Sequence, residues 1–482
     1  MPRVQDDSYV LPPRPAGEPA GRWLCARLRA DIQAGRLGPG VRIPSSRRLA
    51  ALARTARGTV VAALEQLESE GYLFTRRRSG TFVARRLATG TAKPAGAAKA
   101  RARVASSVSA LEPFIRFTAS PQPFVTNLPA LDLFPTAIWG RVTARRVRRS
   151  SMRDLAGCDV SGYRPLREAV ADYLRRSRGV NCVTEQVVIV SGVQEALATI
   201  ARLLVDPGER VLMEDPGYTG ALRAFAAAGA RVGSVPVDSD GMTIPRRTGG
   251  PRIVYVTPAH QFPLGVTMTY ERRLGLLEWA RATAAFIVED DYDSEYRYGG
   301  QPLPALQGLD AHDRVIFTGS FNKLLFPSLR LGYLVVPPSL VDPLVALRTA
   351  MGVHAPALDQ AALCDFITGG HLFRHVRRMR RVYAARRAAL VDAVDSRLRG
   401  ILELSDSEAG LQVPGRLLVP LDSQAVAAEA AMNGVLLTPL SRYARRAIET
   451  DSLLLGFAAI DEREIRSGAA RLAHAIDRLI AR

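Results

Sequence analysis

The sequence predicts an α/β domain, a mostly parallel sheet with helices on both faces, preceded by a small α+β winged helix-turn-helix. Three observations carry this. Beyond Phe114, six short apolar runs alternate with helical patterns. Near the N-terminus, two closely spaced short helices precede a hairpin. Between the two lies a basic stretch poor in large apolar residues.

In the N-terminal segment, Leu24, Leu28 and Ile32 recur at i, i+4 and i+8 on one helical face that Gly35 ends. In IPSSRRLAALA, Ser45 or Ser46 caps a second helix. After the turn ARTAR, a third begins near Arg57 with Val60, Leu64 and Leu67 facing inward. YLFT and TFVA are β-prone runs separated by RRRSG, in which Gly80 supplies turn freedom, so they form a hairpin wing. The first 112 residues hold 20 Arg and Lys against 8 Asp and Glu, within a total formal charge of +19, which favours a polyanionic partner.

Residues 87–112 are rich in Ala, Gly, Ser and Lys/Arg and read as a flexible basic linker. The boundaries are therefore 14–86 for the winged unit, 87–112 for the linker and 113–482 for the α/β domain. No run approaches the roughly 20 apolar residues of a membrane helix, and the start has no apolar signal core, so a cytoplasmic protein is expected. Four scattered cysteines without ligand spacing read as free thiols, and no metal site is expected.

The apolar runs are VVIV (187–190), VLM (211–213), IVYVT (253–257), FIVE (286–289), VIFTG (315–319) and YLVV (333–336). Runs apolar on both faces belong to a covered parallel sheet, where ligands sit at the carboxyl ends of strands. Polar motifs follow five of these runs. After VVIV, the turn at Ser191 opens a helix, so Gly192, Val193 and Gln194 offer amides to a phosphate. After VLM, Tyr218 lies on a turn, to stack on a planar heterocycle or to pack. After IVYVT come Gln261, suited to bonding a phenolic oxygen, and His260, which either orients it or is structural. Asp290 follows FIVE, a costly position for a carboxylate unless it meets a buried cation such as a protonated pyridine nitrogen; Tyr292 points the same way. Lys323 lies in an apolar setting suited to imine formation, bracketed by Ser320 and by Arg330, a bidentate fork for a phosphate.

Two resemblances follow from these strings. IPSSRRLA, RGTVVAALEQLESEGYL and SGTFVA resemble the GntR-type winged helix-turn-helix. This implies DNA contacts from Ser46, Arg47, Arg57, Thr59, Arg78 and Gly80, while Arg76 and Arg77 either touch DNA or solvate the surface. DLFPTAIW, TPAHQFPLGVTM, VEDDYDSEYRY and SFNKLLFPSLRLGYLVVP resemble the fold-type I aminotransferases, and more closely their regulatory MocR/GabR-type branch. That resemblance implies pyridoxal 5'-phosphate (PLP) as a Schiff base on Lys323, with Asp290 opposite the pyridine nitrogen. It implies Tyr292 and Gln261 at the ring oxygen, Tyr218 stacked, and Ser191, Gly192, Val193, Ser320 and Arg330 around the phosphate. It further implies a smaller C-terminal α+β subdomain, roughly 345–482, and a homodimer, head-to-tail and domain-swapped.

Two positions depart from the pattern. Gly157 stands where relatives carry a tyrosine, and Leu454 where the enzymes carry the arginine for the substrate carboxylate, with Arg442 nearby as a substitute or a solvated residue. The basic helix 374–387 either packs as a family-specific surface or touches DNA or a partner subunit. The expectation is a transcriptional regulator, not an enzyme, that binds operator DNA on the nucleoid and senses an amine or amino-acid effector by aldimine exchange at Lys323. The alternatives are a sensor of PLP itself controlling vitamin B6 genes and a working aminotransferase with a DNA-binding appendage.

Overall fold

The computed structural model describes residues 9–76, 79–84, 121–245, 250–299, 304–407, 409–446 and 451–481. The expected linker 87–112 and Arg77 and Arg78 of the wing lie outside them. The chain divides into two compact units, residues 1–103 and 104–482.

The first unit has helices α1 (Ala20–Gln33), α2 (Ser46–Leu52) and α3 (Arg57–Ser69) and a hairpin of β1 (Leu73–Arg76) and β2 (Gly80–Val83). Leu24, Leu28, Ile32, Leu49, Val60 and Leu67 form its core with Val83. Leu64 is only partly buried, and Ala63 takes the inward place beside Val60. Ser45 is the cap of α2, its side chain accepting from the Arg48 N–H, a contact typically contributing about 1 kcal/mol. The turn between α2 and α3 holds Arg54 in the left-handed region at φ 48°.

The second unit is built on an eight-stranded sheet. Its strands are β3 (Val187–Val190), β4 (Arg210–Asp215), β5 (Arg231–Asp238), β6 (Gly241–Met242), β7 (Ile253–Val256), β8 (Phe286–Asp291), β9 (Val315–Ser320) and β10 (Gly332–Val335), in the order β3-β10-β9-β8-β7-β4-β5-β6. The block β9-β8-β7-β4-β5 is parallel, while β10 runs antiparallel to both β9 and β3. All six runs read from the sequence are strands.

The two-residue period of these strands divides their side chains between two cores. Val188, Val190, Met213, Tyr255, Val288 and Ile316 pack with the helices Val193–Leu204 and Thr219–Ala227. Leu212, Val254, Val256 and Ile287 pack against Trp279 and Leu276 of the helix Tyr270–Thr283 on the opposite face. With both faces covered, the strands are apolar throughout, and polar residues collect where the strands end.

A second sheet, β11 (Leu402–Leu404), β12 (Gln412–Leu417), β13 (Thr438–Pro439) and β14 (Ser452–Gly456), has the order β11-β12-β14-β13 and is antiparallel throughout. The helices His371–Arg397 and Glu462–Ile480 pack together and share its core. The basic stretch 374–387 lies within the first of these. His375, Val376, Met379 and Tyr383 are buried, Arg386 donates to the Ala458 carbonyl and Arg380 to that of Glu295. Much of that helix is thus structural.

Candidate functional site

Lys323 follows β9, and its Nζ donates to the carbonyl oxygen of Asn127 at 2.5 Å and to the Asn127 side-chain oxygen at 3.2 Å. Burial pulls the Lys323 ammonium down to about 8, against the opposing pull of the Asp293 and Asp290 carboxylates. Near neutral pH about a tenth of such an amine is neutral, far more than for an ordinary lysine, and that fraction is nucleophilic toward an aldehyde.

Asp290, on β8, is nearly inaccessible. Its Oδ2 accepts from the Tyr255 hydroxyl at 2.6 Å, while its Oδ1 is buried without a hydrogen-bond partner. Burial pushes Asp290 up to about 7. An orphaned buried carboxylate oxygen is costly, and a protonated ring nitrogen meets its requirement.

Behind it, Tyr292 shares a hydrogen bond of 2.9 Å with His260 Nδ1, which also lies 2.9 Å from Asp293 Oδ1; His260 Nε2 is 3.3 Å from Ser407 Oγ. His260 therefore belongs to a buried Tyr-His-Asp network, and does not orient Gln261. Gln261 is placed differently from expectation. Its Nε2 donates to the carbonyls of Pro216 and Phe262 and to Glu214, and its Oε1 accepts from the Leu264 N–H. With every polar atom of its side chain bonded to the surrounding loops, it braces them and has no group free for a ring oxygen. Phe262, the next residue, faces the site instead, with ring centroids 5.8 Å from both Tyr218 and Tyr292.

Tyr218 caps the helix Thr219–Ala227 and donates to Gln194 Oε1 at 3.2 Å. Gln194 lies in the first turn of the helix Val193–Leu204, whose N-cap is Gly192 at φ 103°, a conformation that excludes most side chains. A Cβ on Gly192 would meet the Asn322 amide nitrogen at 3.4 Å. The first amides of this helix have no intrahelical acceptor, which favours an anion there. The Ser191 N–H is already bonded to Glu195. The Ser320 hydroxyl accepts from the Asn322 N–H, and Asn322 Oδ1 is a second buried acceptor without a partner. Arg330 is exposed, in the left-handed region at φ 52°, and its charge acts on the Tyr218 phenol.

Asn127, Tyr255, Asp293 and Asn322 were not among the residues read from sequence. Asn127 carries the clearest local signal, a left-handed φ of 63° at a non-glycine residue, and that appears only in the folded chain.

In the winged unit, Arg47 and Arg57 are exposed at the starts of α2 and α3, and Arg57 Nε donates to Ser46 Oγ at 3.2 Å. Thr59 is half-buried, and its methyl group faces Gly21 of α1. Gly80, at φ 110°, lies so close to Arg42 that a Cβ would come within 2.7 Å of its Nε. Arg76 lies over the rings of Phe74 and Phe82, at 5.4 and 5.7 Å. Arg78 lies outside the described residues.

Among the described residues no helix is long and apolar enough to cross a membrane, and no group of three or more His, Cys, Asp or Glu is arranged for a metal.

Fold and site together define a DNA-binding unit of the bacterial GntR regulatory family, matched over residues 23–83, joined to an aminotransferase class I and II domain, matched over 141–472. The chain is 40% identical to the probable rhizopine catabolism regulatory protein MocR of Rhizobium meliloti, over 94% of this chain and 93% of the relative. It is 32% identical to the pyridoxine biosynthesis transcriptional regulator PdxR of Corynebacterium glutamicum, over 94% and 95%. Kynurenine aminotransferase of Pyrococcus horikoshii, solved with pyridoxamine phosphate, superposes with a TM-score of 0.69 at 28% identity, covering 75% of this chain and 92% of that one. The chain belongs to the MocR-type transcriptional regulators, a PLP-dependent family built on the aminotransferase fold.

Proposed function

We propose that this protein binds PLP on Lys323 and regulates transcription in response to an amine or amino-acid effector that competes with Lys323 for the cofactor. The observation that carries the reading is the buried, partnerless Asp290 Oδ1 in a site whose lysine is held near 8. PLP, when bound, supplies an aldehyde for amines and a cationic ring that withdraws electrons. Asp290 would hold the ring nitrogen, Tyr218 and Phe262 would wall the ring, and Tyr292 would place a hydroxyl beside it. Gly192, Val193, Ser320 and Arg330 would hold the phosphate, joined by Asn322. Released from the cofactor, Lys323 has the two Asn127 oxygens as its resting place, so effector binding and lysine release are one exchange.

The winged unit, residues 14–86, would read DNA through Ser46, Arg47, Arg57, Thr59, Arg78 and Gly80, tethered by residues 87–112 to the effector domain 113–482 with its subdomain from about 345. A head-to-tail, domain-swapped homodimer would present two heads to paired half-sites. A regulatory rather than a turnover role is supported by the named relatives and by the absence of a cation at Leu454. We place the protein in the cytoplasm, on the nucleoid when bound to DNA.

A second reading, in which PLP itself is the signal, is favoured by the similarity to the pyridoxine biosynthesis regulator. The test is to titrate operator affinity with PLP alone and then with amines, following the visible band in parallel. The effector reading expects operator affinity to change when an amine shifts the band. A change with PLP alone and none on adding amines selects the second reading. Sustained turnover with an amino donor and a keto acid selects a working aminotransferase. A visible band unchanged in Lys323→Ala overturns the cofactor assignment.

A further inference from the structure

Resting on that reading of the site, we propose that the effector is a primary amine bearing no carboxylate on its α-carbon. The inference comes from the wall beside Lys323. Asn127, which holds the lysine, follows Thr126, whose hydroxyl lies 3.5 Å from that of Thr438 on β13. The Thr126 and Thr438 hydroxyls act on the Tyr443 phenol, and its ring meets Phe262 at 4.8 Å between centroids. Leu454, the register partner of Thr438, is fully buried and clusters with Phe262 and Leu440, with Tyr218 and Tyr292 packed against them. An effector whose nitrogen replaces Lys323 on the cofactor therefore meets a surface of hydroxyls and hydrocarbon.

Among the described residues that surface holds no cation. Of the carboxylates behind it, Asp290 is taken up by the ring nitrogen, while Asp293 is buried and acts on the lysine charge. Arg330 is already required by the phosphate. Arg442 is exposed and lines, with Tyr443, Arg445 and Glu214, a small cavity of about 50 Å³, and Arg445 is tied to the Val232 carbonyl. An α-carboxylate would exchange water for apolar neighbours and a few neutral hydroxyls without a compensating cation. A hydroxyl or alkyl substituent carries no such penalty.

The test uses the full-length protein loaded with PLP. The visible band and the thermal midpoint are followed during titration with matched pairs, isobutylamine against valine and ethanolamine against serine, each ratio corrected by the same pair acting on free PLP. The amine of each pair should half-saturate the shift at a concentration at least about tenfold lower than its amino acid. In Leu454→Arg that preference should shrink or reverse. Amino acids that match or surpass their amines on the wild-type protein overturn the proposal, as does a band that no member of either pair shifts. A protein that shows no imine band with PLP at all fails at the earlier step and overturns the cofactor reading instead. The wild-type comparison decides the matter even if the variant does not fold.

Discussion

Lys323 and Asn127 are 196 residues apart in sequence, yet both oxygens of Asn127 accept from the lysine Nζ, at 2.5 and 3.2 Å. Asn127 is in turn held by Gln412 on β12, whose side-chain oxygen accepts from its backbone N–H at 2.9 Å. The reactive lysine of the large sheet is thereby fastened to the C-terminal sheet through a single polar residue.

Asn127→Gly keeps the left-handed backbone and the carbonyl but removes the side-chain acceptor. A hydrogen bond to a charged group contributes about 1.5–3 kcal/mol, so its loss disfavours the ammonium. Lys323 should titrate below its present value of about 8, and PLP capture at pH 7 should accelerate. The pH profile of the rate at which the visible band grows reads this directly. An unmoved midpoint would mean that Asn127 has no bearing on the lysine.

Asp290→Asn removes the charge that would stabilise a protonated ring while keeping an acceptor for the Tyr255 hydroxyl. Retention of PLP should fall by at least about tenfold, a loss of about 1.4 kcal/mol or more, because the buried cation loses its counter-charge. Dialysis followed by cofactor quantification measures it. Equal retention in variant and wild type would place the ring nitrogen elsewhere.

Arg57 is exposed at the N-terminus of α3, anchored by Ser46. Arg57→Ala should weaken operator binding by about 1–3 kcal/mol with the visible band intact, since one base contact is of that size. Binding of the wild-type protein should also weaken steeply as salt rises. Fluorescence anisotropy with labelled operator at two salt concentrations tests both claims, and salt-independent affinity would contradict an electrostatic interface.

The strand-end residues were legible because the physics is local. An apolar run buried on both faces must end before polar side chains begin, so Asp290 after FIVE and Lys323 after VIFTG mark one edge of the sheet. β5 escaped notice because RVGSVPVD interleaves Gly, Ser and Pro with valines, and only Val235 in it is fully buried. Gln261 is of a type that suits a ring oxygen, while its bonds to Pro216, Phe262 and Leu264 depend on how two loops meet. Asn127 and Ser407 enter the site from distant segments, and no spacing in the sequence reports such pairings.

Stability should carry a pH signature of the same site. Burial raises Asp290 from 3.8 to about 7, and Glu214 and Glu289 from 4.5 to about 7. Between the unfolded and folded values the native protein holds more protons than the unfolded chain, so the cofactor-free protein loses stability as pH rises from about 4 to 7. Lys323 acts in the opposite sense at higher pH. Its native value is lowered from 10.5 to about 8, so stability returns between those values as the unfolded chain becomes the better proton binder. Asp290→Asn isolates one contribution. The variant's stability relative to wild type should grow by up to about 3 kcal/mol between pH 5 and 8 in the cofactor-free protein, at about 1.4 kcal/mol per pKa unit. With PLP bound, Asp290 gains a cationic partner and the wild type should lose most of that pH dependence. Urea unfolding at the two pH values, with and without cofactor, separates these outcomes. A stability gap that does not change with pH would mean that Asp290 is ionised in the native protein throughout.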